Sequence, residues 1–171
     1  MKNSKKVNVE VAARTVWLSD IQQRLTIMAR ALTGNPIEIF PAEREGGYKN
    51  NNFFLPISFA EFPTAEENLM FYHFRVLFLS IQQGLNLNWT STDNEPSLEL
   101  SQQRALESSE EILPVLFKLY SIDAAFLTFA KNHFIQKADA KKAPDFSWLF
   151  GKWMKNEVVA ESENELQNFS D

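Results

Sequence analysis

Between Thr15 and Leu32 the apolar residues Trp17, Ile21, Leu25, Met28 and Leu32 recur every three or four positions. Asp20, Gln22, Gln23, Arg24 and Arg30 fill the other face. That spacing predicts an amphipathic helix, and Gly34-Asn35-Pro36 predicts its end, because Gly accepts a left-handed cap and Pro cannot continue the ladder. Ile37-Glu38-Ile39-Phe40 then alternates like a strand, and Asn52-Phe53-Phe54-Leu55 is rich enough in aromatics to pair with it across Gly46-Gly47. The expectation is a small β-hairpin at about 37–55.

Thr64-Ala65-Glu66-Glu67 has the form of a capping box, so a helix is expected to begin there. It runs to Gln83, with Gly84 as the stop, and is apolar on nearly every side: Leu69, Met70, Phe71, Phe74, Val76, Leu77, Phe78, Leu79 and Ile81. Such a helix is buried, and at about 1.5–3 kcal/mol per large side chain it is the largest single source of hydrophobic stabilisation. A charge inside it is expected to unfold the domain. After a polar loop from Asn86 to Ser97, helices are expected from Leu98 to Ser108, from the region of Pro114 to Tyr120, and from Ala124 to Ile135, with Ser121 or Asp123 capping the break. Lys137 to Pro144 reads as a connection, and Phe146, Leu149, Phe150 and Trp153 mark a last short helix.

These elements imply a mainly α fold, a single helical bundle-like domain over residues 1–156 with a small inserted β-hairpin. Residues 157–171 follow as an acidic tail or linker whose composition predicts disorder. Neither a solenoid period nor a sustained heptad pattern is present.

Composition narrows the function more than the fold. A hydrophobic fraction of 44% with 15 Phe and 4 Trp supplies core material. A net charge of -5 argues against whole-protein attraction to nucleic acid or an anionic membrane. The absence of Cys excludes disulfides, thiolate metal sites and a cysteine nucleophile, and fits a reducing, cytoplasmic location. The stretch from Leu69 to Ile81 is interrupted by Tyr72, His73, Arg75 and Ser80 and is too short to span a bilayer. No apolar run follows the lysines of residues 1–11, so they do not read as a secretory signal.

Catalytic patterns are sparse. His73 and His133 follow Met70 and Ala130 at the spacing where a di-iron bundle would place Glu, and no His-Glu-x-x-His occurs, so both histidines read as structural. Gly46-Gly47-Tyr48 lacks the context of a phosphate-binding loop and reads as a turn. Glu107 and Glu111 share a helix face and leave open a small metal-dependent enzyme using paired carboxylates, although a solvated face is the simpler reading. Six lysines between Lys131 and Lys155, with Trp148 and Trp153 nearby, leave open a nucleic-acid-binding module. In the same segment one aromatic stripe can pack on the core while Trp148 lies off it, toward a partner.

Two stretches resemble a known family, the NorD and CbbO activator proteins of nitric oxide reductase and Rubisco, in the region before their von Willebrand factor A domain. One is Met28-Ala-Arg-Ala-Leu-Thr-Gly-Asn-Pro36. The other is Leu55-Pro56, Phe62-Pro63, Asn68 and Tyr72 followed by the long apolar helix. Together they cover roughly residues 15–90, about half the chain. The metal-binding Asp-x-Ser-x-Ser loop of that family's C-terminal domain has no counterpart; Asp145-Phe146-Ser147-Trp148-Leu149 fails at the second serine. The acidic tail is similar to the linker that precedes such a domain, which makes the chain an expected N-terminal part of a longer protein. The lack of a legible catalytic or metal motif makes a non-catalytic module without cofactor the expectation, and the resemblance implies an adaptor scaffold that pairs with a MoxR-type AAA+ ATPase and helps it remodel or metallate a target enzyme such as nitric oxide reductase. Expected contact residues, chosen by exposure rather than by the family pattern, are Trp148, Phe150 and Trp153, then Glu43, Arg44, Glu45 and Tyr48 of the preceding loop.

Overall fold

The computed structural model describes residues 2–120, 123–139 and 141–158. Six helices and five short strands occur among them: α1 (Lys2–Arg14), β1 (Val16–Trp17), α2 (Leu18–Thr33), β2 (Glu38–Ala42), β3 (Tyr48–Lys49), β4 (Asn52–Pro56), β5 (Ser58–Phe59), α3 (Ala65–Gly84), α4 (Leu98–Leu119), α5 (Asp123–Lys137) and α6 (Ser147–Phe150). The strands form a two-stranded sheet, β1-β5, and a three-stranded sheet ordered β2-β4-β3. The molecule is therefore an α/β mixture, and the expectation of a mainly α bundle with one hairpin is corrected.

The hairpin itself is also corrected. β2 runs parallel to β4, with Ile39 opposite Phe53 and Pro41 opposite Leu55, and it is β3 that turns antiparallel onto β4. The turn falls at Asn50-Asn51, where Asn50 takes the left-handed φ of 53° that Asn tolerates better than most residues. Gly46-Gly47 instead carries the chain across β4 from one of its edges to the other. The alternation read from the sequence survives this change, because Ile39, Phe53 and Leu55 face the core in either arrangement. The free edge of β2 is covered by α2: Gln22 Nε2 donates to the Ile39 carbonyl (2.6 Å) and Arg30 Nε to the Ile37 carbonyl (2.9 Å). Edge carbonyls closed in this way offer no template to another strand.

α2 forms where the pattern places it and ends on Gly34 at φ 70°, whose amide donates to the Arg30 carbonyl. Its buried line is Leu18, Ile21, Leu25 and Ala29, which keeps Ile21 and Leu25 of the expected stripe but has Leu18 in place of Trp17, because Trp17 is the helix cap, 50% exposed, and pairs with Ser58 in the small sheet. α4 absorbs two expected helices. Pro114 sits inside it on the exposed side, so the missing backbone donor falls on the solvent-facing side of the helix rather than in the core. α1, which no apolar period announces, exposes Val9 and is tied down by Arg14 Nε, which donates to the Ala60 carbonyl (2.8 Å). Ser121 and most of the acidic tail lie outside the described residues.

α3 is the central element, packed against α1, α2, α4, α6, β1 and β4. Thr64 caps it by accepting from the Glu67 amide, while its hydroxyl donates to the Glu67 carboxylate (2.8 Å). Phe71, Phe74, Val76, Phe78 and Leu79 are fully buried, as the sequence predicts. The unforeseen feature is a polar line on this greasy helix. Asn68, Arg75 and Gln82, seven residues apart and so nearly on one face, are all completely buried. Gly84 does not stop the helix; Leu85 caps it and Asn86, at φ 55°, makes the turn.

The Leu-Pro…Phe-Pro…Asn-x-x-x-Tyr pattern has a structural meaning here. Asn68 Oδ1 accepts from the Phe62 amide (2.9 Å), and its Nδ2 donates to the carbonyls of Phe62 (3.1 Å) and Arg14 (2.9 Å). One turn on, the Tyr72 hydroxyl donates to the Pro56 carbonyl (2.7 Å). The two side chains thus lock the segment from β4 to α3, with Leu55 and Phe62 sealed beneath. Replacing Asn68 by Leu leaves those backbone groups buried and unpaired, and is expected to lower the unfolding free energy by about 3 kcal/mol, measured by urea denaturation.

Candidate functional site

Gly46 and Gly151 let two distant segments meet. Gly46 has φ 66°, and a Cβ there would fall 2.0 Å from the Phe54 carbonyl oxygen. Gly151, at φ 71°, would place a Cβ 2.6 Å from Arg75 Nη2. Neither position tolerates a side chain. The Lys152 amide donates to the Gly46 carbonyl (3.0 Å), and Asn88 Nδ2 bridges the Tyr48 carbonyl (2.7 Å) and Asn156 Oδ1 (3.0 Å). The 43–48 loop and the 145–156 segment, alternatives in the sequence reading, therefore form one continuous structure.

Beneath them lies Arg75. Its Nη1 donates to the Trp148 carbonyl (3.0 Å), its guanidinium carbon is 6.0 Å from the Phe71 ring centre, and its Nε and Nη2 make no hydrogen bond among the described residues. Burial pulls its pKa down to about 10, and the Glu45 carboxylate and Tyr72 push back only in part. Glu45 is itself 1% exposed; it accepts from Gln102 Nε2 (3.2 Å) and lies 3.1 Å from Arg44 Nε. A charge inside α3 is thus native to the fold rather than fatal to it, because an acid from the loop and a carbonyl from α6 face it.

Among the expected contact residues, Phe150, Glu45 and Tyr48 are buried, so they support the surface from below. Trp153 is half-buried and does not belong to α6, which Gly151 ends after a single turn; its Nε1 donates to Ser108 Oγ (3.2 Å). Glu43 and Arg44 are exposed. Arg44 stacks over the Trp148 ring at 5.6 Å and pairs with Asp145 at 3.0 Å. Trp148, half-buried, borders a cleft of about 330 Å³ with Phe134, Lys137, Ala143 and Lys142 on its walls. The sequence reading missed Arg75, although its spacing from Asn68 and Gln82 inside an apolar helix was visible.

Glu107 and Glu111 are both exposed on α4, and Glu107 is engaged by Arg104 and Gln103. No group of three or more acidic or histidine side chains converges among the described residues. His133 stands 3.6 Å from Glu61 and edge-on to Phe62; His73 is exposed. The lysines of the 131–155 stretch disperse: Lys131 lies over Phe146 and Phe150, Lys137 pairs with Glu61, and Lys155 donates to the Asp93 carbonyl. No described helix is long and apolar enough to cross a membrane.

No protein-family model, curated protein or solved structure matches the chain. The likeness to NorD and CbbO rests on the residue pattern alone.

Two outcomes are expected. Glu45→Gln, which removes the anion facing a buried cation, is expected to cost about 1–3 kcal/mol, whereas Arg75→Met costs less and shrinks the Glu45→Gln penalty in the double variant, as read by denaturation. Burial also holds the Tyr72 hydroxyl well above the ordinary tyrosine value, the charge of Arg75 opposing this only in part. A raised folded value means that the contribution of Tyr72 is present below pH of about 10 and is lost as the unfolded tyrosine ionises above it. The stability advantage over Tyr72→Phe, about 1 kcal/mol near neutrality, is therefore expected to shrink above pH of about 10.

Proposed function

We propose that this chain is a non-catalytic adaptor that binds a MoxR-type AAA+ ATPase and helps it activate or metallate a target enzyme such as nitric oxide reductase. The reading starts from the NorD/CbbO resemblance. It is supported by the way Asn68 bonds the Phe62 backbone and Tyr72 the Pro56 carbonyl, with Leu55 buried beneath, since a pattern that holds a scaffold together is one a scaffold family would keep.

The observation that carries the reading is the stack of Arg44 on Trp148 beside the 330 Å³ cleft. Arginine and tryptophan are over-represented among residues that dominate binding energy, and the surface under this pair is braced by Phe150, Glu45 and Arg75. Lys137 and Lys142 on the cleft wall are matched by Asp139 and Asp145, so the rim carries both signs of charge and suits a partner surface of mixed polarity. The absence of cysteine accords with a reducing, cytoplasmic setting for such a complex.

The test is co-purification with a MoxR-type ATPase from the same genome. Arg44→Glu combined with Trp148→Ala is expected to weaken binding at least about tenfold, with unchanged circular dichroism. Because Trp148 also touches the core ring of Phe59, Arg44→Glu with Lys142→Glu provides a second variant confined to exposed charges. Undiminished binding by both folded variants excludes this surface.

A further inference from the structure

One face of α4 stays partly uncovered along most of its length. Glu99, Gln103, Leu106, Glu110, Leu113 and Phe117 follow one another at steps of three or four, so they stand in a single line. Two depressions open along that line and share Gln103 and Leu106. One, of about 170 Å³, lies against the 144–147 turn, and the other, of about 540 Å³, runs to Phe117. Together they make one groove, walled by Phe146 and by Lys131 of α5. Its apolar floor is Leu106, 38% exposed, with the half-buried Leu113 and Phe117.

From Glu99 to Phe117 the line measures roughly 27 Å, about five helical turns. A floor made of helix bonds its backbone along its own axis, so it offers no strand edge to an extended peptide, whereas an amphipathic helix laid on it satisfies its own backbone. Charge then narrows the occupant. Four carboxylates line the groove, Glu99, Glu107, Glu110 and Asp145, against one cation, Lys131. Arg104 answers Glu107 at 3.5 Å and Arg44 answers Asp145 at 3.0 Å. Glu99 and Glu110 have no ion pair among the described residues. Lys131 lies over the Phe146 and Phe150 rings, 5.9 and 5.7 Å from their centres. Even with Lys131 set against one of the two free acids the groove stays acidic, and the exposed Glu111 and Lys118 on its flank cancel. Pro114 adds a second acceptor at the same place. It has no N–H, so the Glu110 carbonyl lacks its donor one turn on, and both residues line the groove.

We propose that this groove binds an amphipathic helix of a partner protein, apolar at i, i+4 and i+7 and carrying Lys or Arg beside that stripe. The stripe covers Leu106, Leu113 and Phe117, and a cation meets the Glu110 carboxylate and carbonyl together. This face is distinct from the Arg44–Trp148 stack and does not rest on the ATPase reading.

The test titrates the isotopically labelled full chain with a synthetic Leu/Lys amphipathic helix of about five turns, and with its counterpart in which every Lys is Glu. The Lys peptide is expected to shift the amides of residues 99–117, and the Glu peptide to bind at least about tenfold more weakly. Glu99→Gln/Glu110→Lys, at two exposed positions, should weaken the Lys peptide about tenfold with unchanged circular dichroism. Leu106→Gln should weaken it without altering the charge. Four results overturn the proposal: largest shifts at Trp148 or Trp153, equal affinity for the two peptides, undiminished binding by the folded Glu99→Gln/Glu110→Lys chain, and the same α4 shifts on concentrating the chain without peptide, which would make this face a contact between copies.

Discussion

A loop buried against a hydrophobic core brings amides and carbonyls that water can no longer reach, and each must find a partner inside. In this protein the partners come from the central helix. Asn68 bonds the Phe62 backbone and the end of α1, Tyr72 the Pro56 carbonyl, Arg75 the Trp148 carbonyl and Gln82 the Leu87 carbonyl. α3 is apolar nearly all round, so these few side chains determine which loop docks at which level. Hydrophobic burial provides the driving force, and the polar line provides the address.

Arg75 is the costliest member of that line, since a fully buried guanidinium loses hydration that a single carbonyl cannot replace. Its position explains several features that are otherwise unrelated. Glu45 is buried because a counter-charge is needed, and Gly151 is required because the guanidinium occupies the space of a Cβ. The chain crosses β4 at Gly46-Gly47 where the loop must bring Glu45 inward and still accept a bond from Lys152. Charge satisfaction in the interior thus fixes where Arg44 and Trp148 emerge on the surface.

The sequence made α2 and α3 legible because their signals are local: a 3.6-residue period, a capping Thr, a Gly-Asn-Pro stop. It misled where partners are distant. The hydrophobic pattern between 37 and 55 does not distinguish a strand pair closed by Gly46-Gly47 from one in which Asn50-Asn51 makes the turn, since both bury Ile39, Phe53 and Leu55. The Asn50-Asn51-Asn52 run is the local signal for the second arrangement, because Asn tolerates the left-handed turn. Pro114 suggested a helix start, yet an exposed proline is tolerated within a long helix whose other face is well packed. Of the candidate surface, the sequence could place Trp148 off the apolar stripe, but it could not separate Phe150 and Tyr48, which are buried, from Arg44, which is exposed.

Two clefts lie along one short piece of chain. Trp148 borders the first and Trp153 the second, and Gly151 stands between them at the point where α6 gives way to extended backbone. The rigid member of this arrangement is Phe150, packed between Phe74 and Phe78 of α3. With that ring anchored and the Gly151 amide closing the helix on Ser147, the tryptophans on either side have fixed positions rather than searching ones. A binding surface built on such a brace loses little side-chain entropy when it is covered. The aromatic residues that remain half-exposed here are therefore better suited to recognition than the more exposed Ile27 and Leu119, which have more freedom to lose on being covered.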